Sequence, residues 1–160
     1  ALPRSLYAHT NDDIDFAHLA GKRVGILGAG ASAFDNAIAA LNAGARTATL
    51  CFRRPELPLA NPRRWMEFSG FLAHYPELAD AERWAYMQRL YDISQPPPEP
   101  TFRRAVSFPG FALRPATPWR AVAATPEGTV RVTTDDAPLE FDFVIAATGI
   151  AVDLSLRGEL

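Results

Sequence analysis

The sequence has a single cysteine, a single lysine, little net charge and no long hydrophobic run. One cysteine, Cys51, excludes an intrachain disulfide and a cysteine-rich metal site. No apolar stretch reaches the roughly 18 residues of a membrane span, and Ala1–Phe16 lacks the apolar core of a signal peptide, so a cytoplasmic protein is expected. The net charge of −2 gives no electrostatic case for nucleic acid or a membrane surface as a partner. The histidines and carboxylates show no metal-site or catalytic-triad spacing.

A glycine-rich turn stands between a short apolar run and a helical pattern. The run Val24-Gly25-Ile26-Leu27 is predicted as a buried strand, and apolar residues from Phe34 to Leu41 recur at helical spacing until Gly44, the predicted C-cap. The turn itself, Gly28-Ala29-Gly30-Ala31-Ser32-Ala33, matches the dinucleotide fingerprint G-x-G-x-x-G/A. Its position between a strand and a helix predicts a nucleotide-binding turn.

Each small residue of this turn has a physical reason. Gly28 allows the tight turn off the strand, the missing side chain at Gly30 lets a pyrophosphate approach the backbone, and Ala33 lets the helix pack closely. The N–H groups of the first helical turn then point at the anion, and the helix dipole favours negative charge there. The alternative is a glycine turn that only packs a βαβ unit.

The end of the second predicted strand, Thr47–Phe52, selects the cofactor. NAD sites usually carry Asp or Glu there to bind the ribose 2′-hydroxyl. Between Gly30 and Glu56 the only acidic residue is Asp35, inside the helix, whereas Arg53-Arg54 follows the strand directly. Because a guanidinium fork suits a 2′-phosphate, the pair predicts NADP(H) rather than NAD(H). The alternative is a solvated strand end.

The whole chain is predicted to form one α/β domain of Rossmann type, with a parallel sheet, a helical insertion and a β-meander. Residues 1–20 are a lead-in with a helical turn near its end, and residues 21–54 are the βαβ fingerprint unit. Residues 55–100 are a helical insertion with a proline-rich linker. Residues 101–160 are the meander and a return strand.

The insertion contains two helical patterns rich in aromatic residues. One starts at Pro62, and the other covers Ala79–Tyr91. Aromatic residues at this spacing are interpreted as core or as a domain interface. Residues 95–100 are predicted to be extended, polyproline-like and on the surface, because proline is incompatible with a helix interior or a central strand.

The last third is rich in strand patterns. Trp119–Ala124 and Thr129–Thr134 flank a turn sequence, and Leu139–Phe141 is a third short strand. Phe143–Ala147 is apolar throughout, as a central parallel strand should be. Ligands of open α/β sheets lie beyond the carboxyl ends of the strands. Thr148-Gly149 is therefore expected at the same sheet edge as the glycine turn.

Together these features resemble the NADPH-binding region of two-dinucleotide flavoproteins: flavin-containing monooxygenases, Baeyer–Villiger monooxygenases and related FAD-dependent oxidoreductases. The turn Gly28–Ala33 is similar to their second, NADPH-type glycine motif, and Arg53-Arg54 to the basic pair after the next strand. Ala147-Thr148-Gly149 resembles the ATG motif that ends this domain, and His9-Thr10 resembles the approach to it. The insertion followed by a meander also matches their layout.

The resemblance implies that the chain is a segment of a longer flavoprotein, since it has one glycine motif of this kind and those proteins carry an earlier one for FAD. It implies that NADP(H) binds here and passes hydride to FAD on a missing domain. The predicted partners are that missing FAD-binding domain and the small-molecule substrate of the parent protein. Apolar surface normally covered by that domain would favour a homodimer. No catalytic residue or metal ligand is predicted. The predicted cofactor-binding residues are Gly28, Gly30, Ala31, Ser32, Ala33, Arg53, Arg54, Thr148 and Gly149.

Two other functions stay open. A self-contained NADP-dependent dehydrogenase is disfavoured because Lys22 is the only lysine, so the Tyr-x-x-x-Lys pair of short-chain reductases is absent. A non-enzymatic NADP-binding module with a sensing or regulatory role is not excluded by any residue. The ATG sequence and the meander favour the flavoprotein segment.

Overall fold

A five-stranded parallel sheet forms the centre of the computed structural model, which describes residues 2–58, 60–93 and 95–149. The strand order is β1-β8-β2-β3-β4, and each neighbouring pair is parallel. The predicted Rossmann-type α/β class is thus confirmed. The strands of this sheet are β1 (Tyr7–His9), β2 (Arg23–Leu27), β3 (Thr47–Cys51), β4 (Phe111–Arg114) and β8 (Phe143–Ala146).

The βαβ unit has the predicted form. Helix α1 (Ala31–Asn42) joins β2 to β3, and its buried face is apolar except for Asn36. Gly44, at φ +90°, donates its N–H to the Leu41 carbonyl and ends the helix as expected of a left-handed cap. The central strands carry buried aliphatic side chains, so one face of the sheet packs on α1.

The predicted meander is present as a three-stranded antiparallel sheet, and it packs on the other face of the parallel sheet. It consists of β5 (Ala121–Ala124), β6 (Val130–Thr133) and β7 (Leu139–Phe141). Its buried side chains form a second core with Cys51 and Val144. The approach is close at Gly25, where an added Cβ would lie 2.5 Å from the Phe141 ring. Cys51 is therefore a packing residue of this second core.

Two short strands were not expected from the sequence. Strand β1 lies in the predicted lead-in and β4 lies before the meander, and both are edges of the parallel sheet.

The prediction for residues 95–100 is also partly wrong. Helix α4 (Glu99–Val106) begins inside that segment. Pro100 lies in its first turn, where a backbone N–H has no acceptor within the helix and proline is therefore tolerated. Pro97, expected on the surface, is buried.

The insertion between β3 and α4 has little core of its own. It contains a 3₁₀ helix (Pro62–Glu67), helix α2 (Ser69–His74), a 3₁₀ turn (Tyr75–Glu77) and helix α3 (Asp80–Asp92). No residue of α2 or α3 is buried. Four large side chains are more than 60% exposed, so they are not core as one interpretation held: Phe68, Leu72, Trp84 and Tyr91. The side chain of Trp65 lies outside the described part.

An ion pair ties the amino end of β2 to the junction of β7 and β8. Arg23 donates from Nη2 to Asp142 Oδ1 at 2.7 Å, and its backbone N–H donates to Asp142 Oδ2 at 2.7 Å. Hydrogen bonds from the Arg23 guanidinium lower the pKa of the Asp142 carboxyl, with its backbone N–H adding to the effect and partial burial opposing it. This end of the sheet is opposite the edge that carries the predicted site.

Asp142→Asn is expected to destabilise the domain by about 1 kcal/mol or more at pH 7, because a charge-assisted pair becomes a neutral one. A carboxyl whose pKa is lower in the folded state stabilises fully above its unfolded pKa of about 4 and loses that contribution as pH falls. Denaturant unfolding of both proteins between pH 7 and pH 3 should therefore give a difference in unfolding free energy that is constant above about pH 4 and begins to shrink below it. A difference that stays constant over this range would contradict the assignment.

Among the helices of the described residues, none is both long and apolar enough to cross a bilayer.

Candidate functional site

The carboxyl ends of all five parallel strands meet at one edge of the sheet. From β2 the chain runs outward through β3 to β4, whereas β8 and β1 lie on the other side of β2. The strand order therefore reverses between β2 and β8. In open α/β sheets, the crevice at such a switch point is where ligands bind.

Gly28 lies at this switch point, and the residue that follows β8 leaves no room there for a side chain. Its φ is +135°, and an added Cβ would lie 2.3 Å from the Ala147 carbonyl oxygen. The Ala147 N–H donates to the Leu27 carbonyl at 2.9 Å, and the Gly28 N–H donates to the Cys51 carbonyl at 2.9 Å. The glycine thus lets three strand ends converge where the turn begins.

Gly30 has a different role from Gly28. It caps α1 with ordinary extended angles, and an added Cβ would meet nothing within 4 Å. The N–H groups of Ala31 and Ser32 have no acceptor in the described part of the chain, and the first turn holds no acidic residue. Ala33 is fully buried, as close helix packing requires. The result is an open, positively polarised helix start suited to an anion.

The loops after β3 and β4 are joined by backbone hydrogen bonds. The Phe52 N–H donates to the Arg114 carbonyl at 3.2 Å, and the Ala116 N–H donates to the Arg54 carbonyl at 2.7 Å. Arg53, Arg54 and Arg114 are exposed, and no carboxylate of the described residues lies within 4.0 Å of their guanidinium groups. The sequence reasoning missed Arg114 because β4 itself was missed, although Phe111 and Leu113 alternate with exposed residues.

The exit of β8 lies where the sequence predicted it. Ala147 is buried against Gly28, and Thr148 and Gly149 follow it as exposed residues at the same edge. Gly149 has φ +88°, a backbone conformation that favours glycine. That these two residues contact a cofactor stays a prediction.

The loop after β1 also reaches this edge. The Thr10 N–H donates to the Ala146 carbonyl at 3.0 Å, and the His9 N–H donates to Asp12 Oδ2 at 2.7 Å. This backbone hydrogen bond and the nearby Arg4 lower the pKa of Asp12. His9 Nδ1 accepts from the Asn11 N–H at 3.2 Å, so the neutral ring carries its proton on Nε2. The His9-Thr10 resemblance was the available signal for this loop.

The described part of this edge holds no cluster of metal ligands. Within the described ranges, no group of three or more His, Cys, Asp or Glu side chains could hold a metal ion. Cys51 is buried, and burial raises the pKa of its thiol, so it is not a reactive thiolate. The arrangement can bind and orient an anionic ligand.

Comparison with known proteins gives one close curated relative. An FAD-dependent urate hydroxylase of Xanthomonas campestris is 46% identical over 160 residues, which is 100% of this chain and 34% of that protein. The chain therefore spans about a third of the length of that relative. No family model matches the chain.

Two solved structures share the fold. The FAD-bound cadaverine monooxygenase of desferrioxamine biosynthesis from Erwinia amylovora has a TM-score of 0.64 at 15% identity, over 91% of this chain and 40% of that chain. The lysine monooxygenase NbtG of Nocardia farcinica has a TM-score of 0.52 at 14% identity, over 81% of this chain and 32% of that chain. At these identities they show the fold alone, whereas the curated relative supports the resemblance found in the motifs.

Proposed function

We propose that this chain, a segment of an FAD-dependent, monooxygenase-like flavoprotein, is the domain that binds NADP(H) and presents it to a flavin held elsewhere in the same protein. The whole protein is then an NADPH-dependent oxidoreductase that acts on a small molecule. Urate, the substrate named for the curated relative, is the first compound to test.

The arrangement at the carboxyl ends of β2 and β8 is the observation that carries this proposal. It combines an open helix start, two N–H groups without an acceptor among the described residues, and the exposed arginines of the neighbouring loops. Backbone N–H groups and a helix dipole suit a pyrophosphate, and guanidinium groups suit a 2′-phosphate. A helix start alone, or arginines alone, would fit many anions. The helix start and the arginines together favour NADP(H).

The residues present fit this cofactor. The empty space around Gly30 leaves room for the pyrophosphate, and Arg53 and Arg54 would hold the 2′-phosphate. Bound NADPH supplies a hydride, and Ala31, Ser32 and the arginines supply orientation and charge compensation. Nothing in this chain needs to donate or accept a proton for that role.

The partner in this proposal is the flavin-bearing remainder of the protein. The curated relative extends over about three times the length of this chain. Leu72 of α2 and Trp84 and Tyr91 of α3 are each more than 60% exposed, and large apolar side chains exposed in this way are typical of a contact surface. We propose that the remainder covers these side chains, which leaves the sheet edge open to the nucleotide.

Calorimetric titration with NADP⁺ and NAD⁺ tests the proposal in the 160-residue chain and in the longer protein that contains it. NADP⁺ should bind at least about tenfold more tightly, because only it carries the 2′-phosphate. Binding by the longer protein alone would mean that the site needs the flavin-bearing part. Equal affinity for the two nucleotides, or no binding by either protein, would contradict the proposal.

A stand-alone NADP-binding module is the second candidate, favoured by an open helix start and exposed arginines that can bind and orient an anionic ligand. The two candidates differ in one spectroscopic property. NADPH added anaerobically to the longer protein should bleach a flavin absorbance band if the proposal holds, and a sensing module would show no such band.

A further inference from the structure

We propose that Asn36 is a positioning residue that sets the width of the nucleotide crevice by joining the first turn of α1 to the loop after β1. This inference rests on the proposed binding of NADP(H). Asn36 is 8% exposed, and Asn36 and Thr134 are the two buried polar residues of the described chain. The other buried positions of α1 are apolar, so packing alone does not call for an amide here.

Both hydrogens of the Asn36 amide have acceptors. Nδ2 donates to Thr10 Oγ1 at 2.7 Å and to the Ser32 carbonyl oxygen at 2.7 Å. A buried amide with these partners is satisfied, and removing either acceptor leaves a buried donor unpaired. The side chain therefore stabilises one relative placement of Ser32 and Thr10.

These two partners lie on opposite sides of the switch point. Ser32 belongs to the helix start beside β2, and Thr10 follows β1, with β8 between the two strands. The Thr10 N–H also donates to the Ala146 carbonyl, so the loop is attached to β8 as well. Asn36 thus joins the helix start on one side of β8 to the loop on the other side of that strand.

The placement of Ser32 matters because its N–H is one of the two donors without an acceptor in the described part of the chain. A helix start that tilts by a small amount turns these donors away from a pyrophosphate, and lost orientation weakens binding without unfolding the protein. Asn36 is therefore expected to influence affinity at the phosphate-binding turn and not at the arginine loops.

The test uses the longer flavoprotein with Thr10→Val, Thr10→Ser, Asn36→Leu and the Thr10→Val/Asn36→Leu pair. Calorimetry measures NADP⁺ affinity, and 2′-AMP, which carries only the part that faces the arginines, serves as the control ligand. Thr10→Val and Asn36→Leu should each weaken NADP⁺ about threefold to tenfold, and the pair should lose no more than either alone. Thr10→Ser keeps the hydroxyl and should bind NADP⁺ with wild-type affinity. The affinity for 2′-AMP should not change in any of these variants.

A merely structural role gives a different pattern. Thermal stability would then fall in Thr10→Val and Asn36→Leu while NADP⁺ affinity at 25 °C stays at the wild-type value, and this would overturn the inference. If Asn36→Leu does not fold, the comparison of Thr10→Val with Thr10→Ser still decides. If the wild-type protein binds no NADP⁺, the proposed function fails and this inference fails with it, whereas normal binding by Thr10→Val overturns the inference alone.

Discussion

Alanine at Gly28 is expected to unfold the domain, whereas alanine at Gly30 is expected to leave it folded and weaken nucleotide binding. At Gly28 a side chain meets both a positive φ and the Ala147 carbonyl 2.3 Å away. Each of these effects costs about 1–3 kcal/mol, a large share of a domain's stability. At Gly30 the φ is −79° and the space is open, so the expected loss of stability is less than about 1 kcal/mol.

The two glycines are matched controls for each other, since each variant adds one methyl group to the same turn. Denaturant unfolding measures stability, and calorimetric titration with NADP⁺ measures binding. Gly30→Ala should bind at least about tenfold more weakly, because its methyl group occupies the approach of the pyrophosphate. Normal binding by Gly30→Ala would mean that the glycine turn is only architecture.

Arg53→Ala/Arg54→Ala is expected to abolish the preference for NADP⁺ over NAD⁺. A hydrogen bond to a charged group contributes about 1.5–3 kcal/mol, so losing two should weaken NADP⁺ by about a hundredfold or more. NAD⁺ affinity should hardly change, because that nucleotide has no 2′-phosphate. Raising the salt concentration should reduce the wild-type preference as well, since these arginines are exposed.

Arg63→Ala/Arg64→Ala is the matched control for this prediction. It removes the same two charges from exposed positions on the insertion. A general effect of net charge would weaken both nucleotides equally in both double variants. Loss of the preference in the control alone would place the 2′-phosphate on the insertion and contradict the assignment to the loop after β3.

The sequence predicted the elements whose patterns are local. The strand, glycine turn and helix of the fingerprint, the following strand, the meander and the return strand all have the expected type. These elements are three to twelve residues long, and turn residues mark their ends. The insertion was harder, because aromatic residues at helical spacing do not say whether another part of the protein covers them. Trp84 and Tyr91 follow the helical spacing, yet both side chains are exposed here.

The candidate site was predicted in part, and the division follows distance along the chain. The glycine turn and Arg53-Arg54 are contiguous motifs with a known chemical reason. Arg114 and the Asn36–Thr10 hydrogen bond were missed, since each depends on residues far apart in sequence. Thr10 and Asn36 are separated by 26 positions, and Arg114 comes opposite Cys51 only through the register of β3 and β4.

By itself, therefore, the sequence determined the chemistry of the turn, the class of the fold and the family resemblance, because small residues, helical period and charge act over a few neighbouring positions. Only the tertiary structure decided that β1 and β4 become strands, since a strand of three or four residues exists through pairing with β8 or β3. It also decided which glycine is architectural and which is open to a ligand. That distinction comes from the Ala147 carbonyl, which lies 119 positions beyond Gly28 and reaches it only when the sheet assembles.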